Sequence, residues 1–135
     1  MQNHEFIAEI QRHTKLESKD EALSVTKAVL ETLADHQAGN APAKLAAQLP
    51  EGIAECITNY KSDVDAEGEG FPLQEFYNRV ATRAAVDSEN AVKYSQAVFA
   101  VLQEAVTDGE IEKIRGTLPP EYAELFDGER QDAAN

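Results

Sequence analysis

One pattern occurs twice along this chain, and that fact limits its possible folds more than any single motif. At an offset of 70, Phe6 pairs with Phe76, Ile10 with Val80, Leu16 with Val86 and Ser18 with Ser88. One residue drops out after Asp20, and from there the offset is 69. Ala22 then pairs with Ala91, Ala28-Val29 with Ala97-Val98, Leu33 with Leu102, Leu49-Pro50 with Leu118-Pro119 and Glu55 with Glu124. Residues 6–57 and 76–126 therefore read as two copies of one unit. Such a period exceeds the roughly 20–50 residues of solenoid units and suits a duplicated helical subdomain. A unit of about 55–60 residues is marginal alone, so the copies are predicted to pack on one another.

The periodicity within each unit is helical. In the first, Phe6, Ile10 and Thr14 recur every four residues with Ile7 beside them, predicting a helix over about 3–15. Ser18 or Asp20 offers an N-cap for a longer helix to about His36, with Ala22, Val25, Val29 and Leu33 on one face and Leu23 and Leu30 on a second. A helix apolar on two sides belongs at the centre of a bundle. Gly39-Asn40 reads as its stop, a short helix runs to Gln48, and Pro50 opens a last one carrying Ile53, Cys56, Ile57 and Tyr60.

The second unit repeats this order. Pro72 precedes a stripe of Phe76, Val80 and Ala84, and Asp87 or Ser88 caps a long helix bearing Ala91, Tyr94, Val98 and Leu102 on one face and Phe99 and Val106 on another. Asp108-Gly109 reads as the stop. Ile111, Ile114 and Leu118 mark a short helix, and Pro119-Pro120 opens the last, with Tyr122, Leu125 and Phe126. No stretch alternates like a strand. The expectation is an all-α fold, a single compact bundle of about eight helices over residues 1–135. It comprises repeat one at 3–58, an acidic linker at 59–71, repeat two at 72–126 and a polar, frayed tail at 127–135.

Charge narrows the possible partners. The net charge is −13, and residues 1–58 and 73–126 each carry five basic and nine acidic side chains, so no single face is acidic. Such a surface repels phosphates and anionic lipids, which argues against nucleic-acid and membrane partners. No apolar run approaches the ~20 residues needed to span a bilayer. The stretch Met1-Gln2-Asn3-His4-Glu5 does not look like a secretion signal, and a single cysteine, Cys56, gives no internal disulfide, so a cytoplasmic location is expected.

The residue order resembles a bacterial and archaeal family, domain of unknown function 2267. The likeness rests on the Phe-led first helix, Ala-Val-Leu-Glu-Thr-Leu at 28–33 and Leu-Ala-Ala-Gln-Leu-Pro at 45–50. Phe-Pro-Leu-Gln-Glu-Phe at 71–76, Ala-Val-Phe-Ala-Val-Leu-Gln-Glu-Ala-Val at 97–106 and Leu-Pro-Pro-Glu-Tyr at 118–122 extend it over nearly the whole chain. Where the family often has Gly-Gly-Glu, this chain has Gly39-Asn40-Ala41 and Asp108-Gly109-Glu110, so the first copy departs more. The resemblance implies an all-helical duplicated fold and supplies no reaction, ligand or catalytic residue.

Few residues invite a functional reading. Asp63, Asp65, Glu67 and Gly68 match positions 1, 3, 5 and 6 of a calcium loop, but its twelfth position is Gln74, with Glu75 one residue late, and Gly70 stands where an apolar residue belongs. Asp63, Asp65, Glu67, Glu69 and Glu75 are thus weak calcium candidates, and a solvated linker explains them more simply. His4 and His13 are nine residues apart, about 180° around a helix, and cannot chelate one ion from it unaided. His36 follows Asp35 at a helix end, where a partly cationic ring suits the dipole. Cys56 corresponds to Leu125 and reads as a buried small hydrophobe. Glu9, Glu17, Asp20 and Glu21 read as surface or cap carboxylates, and Glu55 and Glu124 as a solvated helix face. Arg79 and Arg83 share a face and could hold an anion, although Glu75 is a simpler partner for Arg79.

The resulting expectation is a non-enzymatic, cytoplasmic helical module for protein interaction or structural support. No cofactor or catalytic residue is implied, and the protein partner is unspecified, with a homodimer among the options. The alternative is a small-molecule or calcium binder using the inter-repeat cleft or the acidic linker.

Overall fold

The computed structural model describes residues 1–36, 41–60 and 70–133, with side chains through Gly128. Among these the chain forms α1 (Asn3–Thr14), α2 (Lys19–His36), α3 (Ala41–Ala46), α4 (Glu55–Thr58), α5 (Leu73–Ala84), α6 (Ser88–Ala105), α7 (Asp108–Thr117) and α8 (Ala123–Ala133). A single 3₁₀ turn at Pro120–Tyr122 leads into α8, and no strand occurs among the described residues. The fold is the all-α bundle that the periodicity predicts.

Element lengths match between the two halves of the chain. Helices α1 and α5 are both 12 residues long and start 70 positions apart; α2 and α6 are both 18 residues long and start 69 apart. The offset changes in the connection, residues 15–18 against 85–87, and not after Asp20 inside the long helix. The physical reason is rotation: a residue deleted within a helix turns everything beyond it by about 100° off the core, whereas a loop absorbs the change. Both connections leave their helix through a left-handed residue, Lys15 (φ 64°) and Ala85 (φ 57°), 70 positions apart. Ser18 Oγ caps α2 by accepting the Asp20 and Glu21 amides at 3.1 and 3.2 Å. Asp87 caps α6 by accepting the Asn90 amide at 2.8 Å.

Other boundaries differ from expectation. Asp108-Gly109 does not stop the long helix but forms the first turn of α7, because Thr107 accepts the Glu110 amide and starts a helix at once. Glycine is inexpensive in a first turn whose amides have no intrahelical partners. The stretch read as a frayed tail continues as helix to Ala133. Gly128 lies against Gln96 there, and a Cβ would come within 2.6 Å of that side chain. Tyr60 and Phe71, placed in the linker by sequence, are half-buried and buried. The Gly39-Asn40 stop and the linker's 61–69 stretch lie outside the described residues.

One continuous core joins both halves. Helix α1 packs on α2 and α6, while α5 packs on α6 and α2; α4 lies on α2, and α8 on α6. Phe6, Ile10, Val29, Leu30, Leu33 and Ile53 fill the first half, and Phe76, Val80, Val98, Leu102, Tyr122 and Leu125 the second, all at most 1% exposed. The second half is the aromatic one. Phe76 meets Tyr122 and Phe99 edge to face, and Phe99 meets Phe126 at 5.1 Å.

Candidate functional site

The densest polar constellation lies where α2 meets α5. Asp35 falls on the buried stripe of α2 after Ala28 and Thr32, and its side chain is 2% exposed. A carboxylate that deep must be paired and hydrogen-bonded. It is both. Arg79 Nη1 and Arg83 Nη2 reach Asp35 Oδ2 at 3.1 and 2.8 Å, and the Tyr60 hydroxyl donates to Oδ1 at 2.6 Å.

The surrounding bonds close a network. Arg83 Nη2 also donates to the Tyr60 oxygen at 3.0 Å, and its Nη1 to Thr32 Oγ1 at 2.9 Å. Arg79 Nε donates to Glu75 Oε2 at 2.9 Å, the pairing that their spacing predicts. The Arg79 guanidinium lies 4.0 Å over the Phe71 ring. Among the described residues, two guanidinium groups and two carboxylates balance in charge. Its outer side is an open depression of about 330 Å³ lined by Glu75, Asn78, Arg79, Thr82 and Arg83.

The anion between Arg79 and Arg83 is thus internal. Asp35, Tyr60 and Thr32 complete the site and escape the sequence reading, which treats Asp35 only as a neighbour of His36. The available signal was an acidic residue at helical spacing on an otherwise buried stripe.

His36, expected as a partly cationic helix end, is instead packed edge-on against Phe71 and Tyr122, with ring centroids at 4.9 and 5.2 Å. Neither ring nitrogen has a hydrogen-bond partner among the described residues. Burial, with nearby Arg79 adding to it, holds the imidazole below its usual pKa of 6.5, so it is neutral at pH 7.

The remaining candidates separate. Of the calcium candidates, Asp63, Asp65, Glu67 and Glu69 lie outside the described residues, and Glu75 is bonded to Arg79. His4 is exposed, whereas His13 is half-buried with Nε2 4.0 Å from Glu9 Oε2. Cys56 is a buried free thiol, pushed above its usual pKa by burial. Glu124 accepts the Tyr77 hydroxyl at 2.5 Å, while Ile7 occupies the position 70 before Tyr77, so Glu55 has no such bond available.

Fold and seam together define a helical bundle in which a buried carboxylate anchors a charge-compensated ion-pair network. The chain belongs to the family described as an uncharacterized conserved protein (DUF2267), whose model matches residues 3–125. A comparison with curated proteins found no match. No described helix is long and apolar enough to cross a membrane.

Proposed function

We propose that this protein is a non-enzymatic, cytoplasmic helical module, built as a tandem duplicate, that acts through protein interaction or as a structural support. The observation carrying this reading is the commitment of the α2–α5 seam to itself. Among the described residues, Asp35 bonds both guanidinium groups, Arg79 also bonds Glu75, Arg83 also bonds Tyr60 and Thr32, and the two carboxylates balance the two cations. A site organised for substrate keeps donors or acceptors turned outward. This one uses them to hold α2 and α5 together.

The duplication is supported by matched helix lengths, left-handed exits 70 apart, and contacts that interchange between the halves: α1 on α6, α5 on α2. A cytoplasmic setting suits a chain whose one cysteine is a buried thiol.

The second reading, a small-molecule binder, is favoured by the open depression beside Arg79 and Arg83. Native mass spectrometry of gently purified protein, combined with in-cell crosslinking, decides between them. The expected result is the bare chain mass, with a crosslinked protein that rebinds the purified chain at fixed stoichiometry. A retained metabolite that is lost when Thr82→Trp fills the depression would replace this reading with the binder.

A further inference from the structure

The interchange of helices creates a second seam, α1 against α6, equivalent in place to α5 against α2. Its residues correspond by the same offsets. Glu9 stands where Arg79 does, His13 where Arg83 does, and Glu104 where Asp35 does. One seam therefore holds its α2 carboxylate with two fixed cations. The other presents its α6 carboxylate with a second carboxylate and an imidazole. Ligand atoms of Glu9, His13 and Glu104 lie within 4.8 Å of one another.

We propose that the α1–α6 seam binds a divalent transition-metal ion of the zinc class through Glu9, His13 and Glu104. The ion would supply the positive charge that Arg79 and Arg83 supply at the opposite seam.

Three features support the assignment. Glu9 and His13 are four apart on α1 and share its face, so one helix provides two ligands and α6 the third. Two carboxylates and a neutral imidazole balance a dication, and imidazole with carboxylate suits zinc, whereas calcium takes six to eight oxygens. Zinc bonds of about 2.0–2.2 Å place tetrahedral ligands roughly 3.4 Å apart. Closing the present spread to that requires Glu104, which is exposed, to swing in and His13 Nε2 to approach Glu9 Oε2 from 4.0 Å, with solvent completing the coordination.

Among the described residues Arg12 competes for this site. It holds Glu9 through two bonds, Nε to Oε1 at 3.3 Å and Nη2 to Oε2 at 2.6 Å, and reaches to 3.5 Å from His13 Nε2, so metal binding must displace it. Its own side chain is 63% exposed, which leaves it room to swing into solvent. The metal proposal does not depend on the interaction role, since it needs only this seam's geometry.

The test is thermal denaturation and calorimetric titration of the full chain with zinc chloride, with calcium and magnesium chlorides as controls. Zinc at 100 µM is expected to raise Tm by a few degrees, with no response to calcium or magnesium at that concentration. His13→Ala, at a half-buried position, and Glu104→Gln, at an exposed one, are expected to weaken zinc binding at least tenfold, and Arg12→Gln to tighten it. Glu9→Arg with His13→Arg copies the opposite seam and is expected to abolish the zinc response. Cys56→Ser and His4→Ala are expected to leave it intact. Absence of a zinc response in the wild type, an undiminished response in His13→Ala or Glu104→Gln, or its loss in Cys56→Ser or His4→Ala would each overturn the assignment.

Discussion

Asp35 governs the α2–α5 seam because it is the charged member that cannot reach water. Its side chain is 2% exposed, against 23% for Arg79 and 26% for Arg83. Removing both arginines strands a buried charge, a defect costing about 3–5 kcal/mol. Arg79→Ala with Arg83→Ala is therefore expected to lower unfolding free energy by that amount in urea titrations. Asp35→Asn is expected to cost less, because both guanidinium groups can turn to solvent. His36 gives the seam region a pH dependence. Its native pKa lies below the unfolded value near 6.5, so the unfolded chain binds the extra proton between the two. The contribution is complete above pH 6.5 and is lost as pH falls through 6.5 toward the native value. His36→Leu is expected to show a smaller change in urea midpoint between pH 7.5 and pH 5 than wild type.

At the scale of elements, the two long helices show what local chemistry can and cannot specify. The caps were readable to within a choice of two residues, Ser18 or Asp20 and Asp87 or Ser88, because short polar side chains before an apolar stripe favour capping; the structure selects Ser18 and Asp87. The start of α7 was not. Asp108-Gly109 has turn composition, and only the Thr107 cap reveals that a helix begins there. Lys15 and Ala85 hold left-handed geometry at a Cβ cost glycine avoids. Lys15→Gly and Ala85→Gly are each expected to stabilise by about 0.5 kcal/mol, the relief of strain less the extra freedom of the unfolded chain, as measured by urea midpoint. Gly52 is the reverse case. At φ 94° with Asn3 Nδ2 2.2 Å from an added Cβ, Gly52→Ala is expected to lose about 1–2 kcal/mol.

For the whole molecule, the central fact is that neither half owns its core. Leu33 and Leu102 are each 1% exposed, at positions 69 apart, and α2 and α6 also touch each other. Leu33→Ala and Leu102→Ala are each expected to cost about 2–5 kcal/mol. Each is also expected to leave a single unfolding transition in both far-UV and near-UV circular dichroism, since one half cannot melt and leave the other packed. Two separate transitions would contradict the shared core.

Periodicity alone was enough to specify the all-helical class and most stripe residues, because burial selects apolar side chains at every turn wherever a helix faces a core; Leu23, expected on a second apolar face of α2, is instead exposed. Placement across the seams was decided only in three dimensions. Asp35 meets Arg79 and Arg83 across 44 and 48 residues, and Glu104 meets Glu9 and His13 across a longer separation still. No local spacing encodes such meetings. They follow from each first helix lying against the other half's long helix, which makes carboxylate, guanidinium and imidazole neighbours without leaving a shared motif in the chain.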